Sequence, residues 1–258
     1  MLSASFKYNL VLINLMKRGQ STVFTIIAIL IILIAFLVTY LKMSAPTQEV
    51  RKAAIYPASV EAFRNVIKSC TEQTANEGLI VIGLQGGFYK TPPNKLDFGP
   101  AAVSYWLLDG RRSQPPLQHI QNELNIYIEE NLNTCIEFSR FRDLKFARGQ
   151  TNAATRISDS VQVTVTYPIT VTKDSTNYNL KEPYIINIPV RLNKIYETAS
   201  GVVNKTIEDP NYINIGYLLE RDLDVEVTEL GDQGTIYTMY DKKSKVNDLP
   251  YLFMFMVN

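Results

Sequence analysis

The stretch 161–171, VQVTVTYPITV, sets Val161, Val163 and Val165 on one side of an extended chain and Gln162, Thr164 and Thr166 on the other, and Ile169 and Val171 resume the alternation beyond Tyr167-Pro168. A period of two is the pleat of a strand with one buried face, as in antiparallel sheets. Downstream, 184–188, 223–227, 235–240 and 251–257 are similarly rich in β-branched and aromatic residues. Gly231-Asp232-Gln233-Gly234 predicts a hairpin connection between two of these strands. Leu192, Ile195, Ala199, Val202 and Val203 switch to helical spacing, and Asp209-Pro210 fits the N-cap and first position of a further short helix. Residues 151–258 are therefore expected to form a mainly antiparallel sheet or partial sandwich, with a helical insertion near 191–220.

Upstream of Gln150 the period is helical. Val60, Phe63, Ile67, Cys70, Thr74 and Gly78 recur at three- and four-residue steps, with Ser59 as N-cap and an end near Ile82. Gly83-Leu84-Gln85-Gly86-Gly87 then reads as a turn, because glycine enters positive φ at little cost. A phosphate-cradling loop is the alternative for these glycines, but neither Lys-Ser/Thr nor GxGxxG follows. Between proline pairs, 103–108 reads as a short strand. A second amphipathic helix carries Leu117, Ile120, Leu124, Tyr127, Ile128, Leu132 and Cys135 on one face, with Pro116 in its first turn. The expected fold is α+β: a helical subdomain at 59–150 supplying a two-helix layer, followed by the β-rich subdomain at 151–258.

The apolar excess lies near the N-terminus, where 23–41, VFTIIAILIILIAFLVTYL, has no charged residue. At about 1.5 Å per residue this run spans close to the ~30 Å hydrocarbon core, so a transmembrane helix is expected within 20–42. A cleaved secretory signal is the alternative, but its apolar region usually runs only about 7 to 15 residues. Tyr40 and Lys42 end the run in the manner of interfacial anchors. Residues 1–19 then form a leader and 43–58, with Pro46 and Pro57, a linker. Lys7, Lys17 and Arg18 before the run nearly balance Lys42, Arg51 and Lys52 after it, so the positive-inside rule alone leaves orientation open.

Lys17-Arg18-Gly19-Gln20-Ser21-Thr22 resembles the class III signal of archaeal type IV pilins and related surface proteins. The resemblance implies cytoplasmic cleavage between Gly19 and Gln20, with the helix retained as an anchor and the N-terminus cytoplasmic. Phe24 and Thr25 stand where the pilin pattern has an acidic residue, which counts against filament assembly more than against processing. Met16 offers a second start site. Ser69-Cys70, Glu77-Gly78-Leu79, 83–87, Leu124, Tyr127-Ile128, Asn131-Leu132 and Cys135, together with the leader and 241–257, resemble membrane-anchored proteins that recur in small-genome archaea. That likeness implies localisation and lineage, and carries over no functional residues.

The whole chain of 258 residues balances 26 Lys and Arg against 25 Asp and Glu, which argues against a nucleic-acid partner. Two cysteines without CxxC and a single histidine, His119, argue against a metal site, and no cofactor or small-molecule substrate is evident. Cys70 and Cys135 each occupy the apolar face of a predicted helix, where a disulfide would tie the two together; two buried free thiols are the alternative. General acid–base work would fall to carboxylates, and the pairs Glu129 with Glu130 and Asp222 with Asp224 sit on solvated faces. The 15 tyrosines suit an interaction surface or simply strand positions. Asn204-Lys205-Thr206 is a candidate glycosylation sequon. The expected function is that of a membrane-anchored, extracytoplasmic surface protein with a structural or adhesive, non-enzymatic role, whose partners are the lipid bilayer and itself or other surface proteins. A pilin-like filament subunit and an anchored enzyme acting on surface polymer are the alternatives.

Overall fold

A computed structural model describes residues 56–99, 101–210 and 212–258. The leader with Lys17, Arg18, Gly19 and Gln20, the transmembrane segment and nearly all of the linker lie outside the described residues. Among the described residues no helix is long and apolar enough to cross a membrane.

Residues 56–258 form one unit of α+β class. Helix α1 (Ala58–Leu84) is its spine. Phe63, near its start, meets Phe138, Phe141 and Phe146, with ring centroids 5.7, 5.1 and 4.5 Å away. Near its end, Leu79 accepts a 3.1 Å hydrogen bond from the Tyr251 hydroxyl. Ser59 is not the N-cap: Pro57 holds that place, and the Ser59 hydroxyl accepts from Lys173 Nζ at 3.0 Å. Helix α2 (Leu117–Cys135) buries Ile120, Leu124, Ile128 and Leu132. Gly78 lets it approach α1, since a Cβ there would lie 2.6 Å from Leu124 Cδ1.

The main sheet runs β1 (Lys95–Phe98), β2 (Ala101–Leu108), β12 (Leu249–Val257), β11 (Thr235–Val246) and β10 (Asp224–Glu229), with the two-residue β3 (Arg111–Arg112) paired to β2. Its neighbours are antiparallel except β2 and β12, which run parallel. The expected hairpin at 231–234 joins β10 to β11, with Gly231 and Gly234 at φ 58° and 95°.

The stretch 161–171 belongs to a second assembly. Strands β4 (Lys145–Arg148), β5 (Asn152–Ile157), β6 (Val161–Thr166), β7 (Ile169–Lys173), β8 (Thr176–Leu180) and β9 (Tyr184–Ile188) form two three-stranded groups, β4-β7-β8 and β5-β6-β9. Chain continuity makes them one bent ribbon of three long antiparallel strands, each interrupted at the same level. Pro168 and Pro183 sit in two of the interruptions, as residues without an N–H to donate to a ladder. Gly149 sits in the third, where a Cβ would lie 2.7 Å from Pro168 Cγ.

Four expectations change here. The boundary at residue 150 divides nothing, because β2, from the first half, pairs with β12 and one continuous hydrophobic core draws on both halves. The two sheets also do not form a sandwich: α1 packs on β12 of the main sheet and on β9 of the ribbon. Helix α3 (Leu192–Glu208) is the expected insertion, but Asp209-Pro210 follows its end, and the short helix α4 (Ile215–Leu219) begins after Asn214, whose side chain accepts from the Tyr217 amide at 2.9 Å. Helix α1 also runs through Gly83, where the lack of a Cβ admits the Leu252 carbonyl oxygen, which would lie 2.3 Å from one; the turn belongs to Gly86 and Gly87 at φ 64° and 96°.

Candidate functional site

The ribbon presents an outer face of short polar side chains. Registers place Lys145, Thr172 and Asn177 in one cross-strand row, Ala147, Thr170 and Asn179 in the next, then Ala154, Thr164 and Ile185, then Arg156, Gln162 and Asn187. Thr170 Oγ1 donates to Asn179 Oδ1 at 2.8 Å and Thr172 Oγ1 to Asn177 Oδ1 at 2.7 Å, which locks the rotamers of neighbouring strands. No carboxylate occurs in these rows, and the two cations, Lys145 and Arg156, stand at opposite ends. The face is thus an array of short hydroxyl and amide side chains with one cation at either end.

One edge of the ribbon is closed by helix α2. The Ala153 amide donates to Glu129 Oε1 at 2.8 Å and the Ile157 amide to Gln121 Oε1 at 2.9 Å. Residues four apart on a helix rise about 6.0 Å, and alternate residues of a strand advance about 6.8 Å, so a helical row at 121, 125 and 129 keeps step with strand positions 157, 155 and 153. The middle rung is unmade: Asn125 Oδ1 and Thr155 Oγ1 are both buried without a hydrogen-bond partner.

The carboxylate pairs separate. Glu129 caps β5, whereas its neighbour Glu130 accepts from Lys90 Nζ at 2.5 Å and from the Tyr89 hydroxyl at 3.0 Å. The Lys90 hydrogen bond, then that of Tyr89, holds the Glu130 carboxyl below its ordinary range. Asp224 pairs with Lys242 at 2.5 Å, and Asp222 takes Lys243, Arg191 and Lys194 at 2.6, 3.0 and 3.2 Å. The last three bonds, led by Lys243, depress the Asp222 carboxyl strongly. Each of these carboxylates is thus held by at least one amide, hydroxyl or cation.

No sequence motif marks the network anchoring α3. Asp241 is 1% exposed, and Arg191 donates to it through Nε at 2.9 Å and Nη2 at 2.5 Å. The Arg191 amide donates to Ser244 Oγ at 2.9 Å, and Ser244 Oγ donates in turn to Asp241. Burial pushes the Asp241 carboxyl up, but the bonds from Arg191, Ser244 and the Lys243 amide outweigh it and leave it below its usual range. These groups cluster where the β11 register shifts between Asp241 and Lys245, a bulge that aims Ser244 inward.

Cys70 and Cys135 are disulfide-bonded, with Cα atoms 5.6 Å apart. His119 Nε2 lies 3.6 Å from the Oε1 of buried Glu123, whose Oε2 accepts the Tyr89 and Lys90 amides at 2.8 and 3.0 Å. Asn204 is exposed on α3 and accepts from Arg112. Five tyrosines, Tyr105, Tyr167, Tyr184, Tyr237 and Tyr251, are buried in or beside strands. Among the described residues no cluster of three or more His, Cys, Asp or Glu could hold a metal ion. No family model matches the chain, and comparison with curated proteins and with solved structures likewise finds no match.

Proposed function

We propose that this chain is a membrane-anchored surface protein, with its N-terminus cytoplasmic and residues after about 43 outside, where they serve a structural or adhesive, non-enzymatic role. The observation that carries the reading is the Cys70–Cys135 disulfide. Disulfides persist in oxidising compartments, and this one belongs to a domain that follows a charge-free apolar run at 23–41. The Thr- and Asn-rich ribbon face supports contact with other surface material, and the commitment of Glu129, Glu130, Asp222 and Asp224 to ion pairs and caps supports a non-catalytic role. The leader motif Lys17-Arg18-Gly19-Gln20 supports processing before Gln20. Asn204 is then available to a glycan.

Protease added to intact cells is the test. Loss of the domain with retention of a membrane-embedded fragment is expected; full protection would sink the assignment. Sheared cells should release no filaments containing the chain, and filaments in that supernatant would favour the pilin-like alternative.

A further inference from the structure

The other edge of the ribbon is open. Because the Ala153 and Ile157 amides point away from β6, the β5–β6 and β6–β9 registers turn the main-chain groups of Tyr184, Ile186 and Ile188 toward β6. Ile185 and Asn187 therefore aim their N–H and C=O groups outward. No strand pairs with β9 on that side among the described residues. Prolines at 183 and 189 bound the strand, and Ile185 is 58% exposed.

A groove of about 320 Å³ opens at the start of this edge, between Pro183, Tyr184 and Ile185 and the flank of α1 that carries Glu61, Arg64, Asn65 and Lys68. Here the helix does not cap the strand as α2 caps β5; no side chain of α1 hydrogen-bonds to the β9 main chain. Arg64 pairs with Glu61 at 3.7 Å, whereas Lys68 has no ion-pair partner among the described residues. The open edge thus offers the outward N–H and C=O groups of Ile185 and Asn187, and the groove at its Ile185 end adds a cation with no ion-pair partner among the described residues.

We propose that this groove docks an extended peptide segment of another surface protein, which pairs with β9 as an added strand and sets an acidic side chain against Lys68. Open main-chain groups recognise an extended backbone whatever its sequence, while the lysine selects its charge. A second copy is a poorer occupant. Two β9 strands paired about a two-fold axis would place both α1 flanks on the same side of the joined sheet, bringing Arg64 and Lys68 near their counterparts. The proposal deepens the adhesive reading by naming the chemistry of the partner, and rests on it only for where that partner is met.

The test uses the full chain in detergent micelles, which separates it from any question of topology. The probe is the acetylated, amidated hexapeptide Thr-Val-Glu-Val-Thr-Val bearing a fluorophore, read by anisotropy and by hydrogen exchange of 184–188. Saturable binding with slowed exchange at Ile185 and Asn187 is expected. N-methylation of one alternate set of peptide amides should abolish binding, while methylation of the other set is tolerated. Ile185→Pro removes an outward N–H without breaking the ladder to β6, and should weaken binding by about tenfold. Lys68→Glu, on an exposed helical position, should weaken it by a factor of about three to five and improve binding of the lysine analogue of the probe. Binding without protection at 184–188, or equal sensitivity to both methylation patterns, would overturn the proposal. So would a dimer of the chain alone that Ile185→Pro dissociates, which would assign the edge to a second copy.

Discussion

Removing the two α2 side chains that close the β5 edge should expose that strand. Glu129 and Gln121 each accept one amide of β5, at 2.8 and 2.9 Å, and both are partly buried. A hydrogen bond to an ionised acceptor contributes roughly 1.5–3 kcal/mol and a neutral one about 0.5–1.5. Partial exposure lets water replace some of each, so Glu129→Ala is expected to cost about 2 kcal/mol and Gln121→Ala about 1. The two positions lie about 12 Å apart along the helix and share no partner, so the double variant should lose about 3 kcal/mol, close to the sum. Urea denaturation measures the total, and amide exchange localises it: Ala153 and Ile157 should exchange faster, while amides of β6 remain protected. Glu129→Gln keeps an acceptor and should recover more than half of the loss. A double variant destabilised by less than about 0.5 kcal/mol, with Ala153 and Ile157 as protected as before, would refute the reasoning.

Three further outcomes are expected. Reduction, or a Cys70→Ser, Cys135→Ser double substitution, should cost about 4 kcal/mol in chemical denaturation, the chain-entropy value for a link across a separation of 65 residues. Because the Asp241 carboxyl is held below its unfolded value, its contribution is fully present above about pH 4 and is lost as pH falls through the folded pKa; Asp241→Asn should flatten the acid limb of a stability–pH profile and, by leaving Arg191 without its buried partner, cost about 2–4 kcal/mol at pH 7. Gly83→Ala should cost about 1–3 kcal/mol and raise the unfolding rate, because its methyl meets the Leu252 carbonyl at 2.3 Å; a neutral effect in a thermal melt would show that α1 and β12 can separate at little cost.

What lay in the sequence was whatever repeats with a local period. The Val161, Val163, Val165 alternation yields β6, and the Val60, Phe63, Ile67 spacing yields α1, since each pattern follows from the geometry of a single element. The two cysteines were likewise legible as residues on facing helical stripes. Polar strands escaped the same reading: β4, β5 and β8 offer few apolar side chains, and their pairing is supplied by the strands beside them. Gln121, Asn125 and Glu129 carry no pattern that singles them out, because their meaning depends on which strand edge α2 meets. Gly83 shows the same division, for its sequence context reads as a turn and only the passing Leu252 carbonyl explains a glycine inside a helix. Tertiary structure alone decided that β2 pairs with β12, that α1 separates the sheets, and that one edge of the ribbon is capped while the other stays open. Those are relations between residues far apart in the chain, and hydrophobic period carries no record of which distant edge a polar side chain will meet.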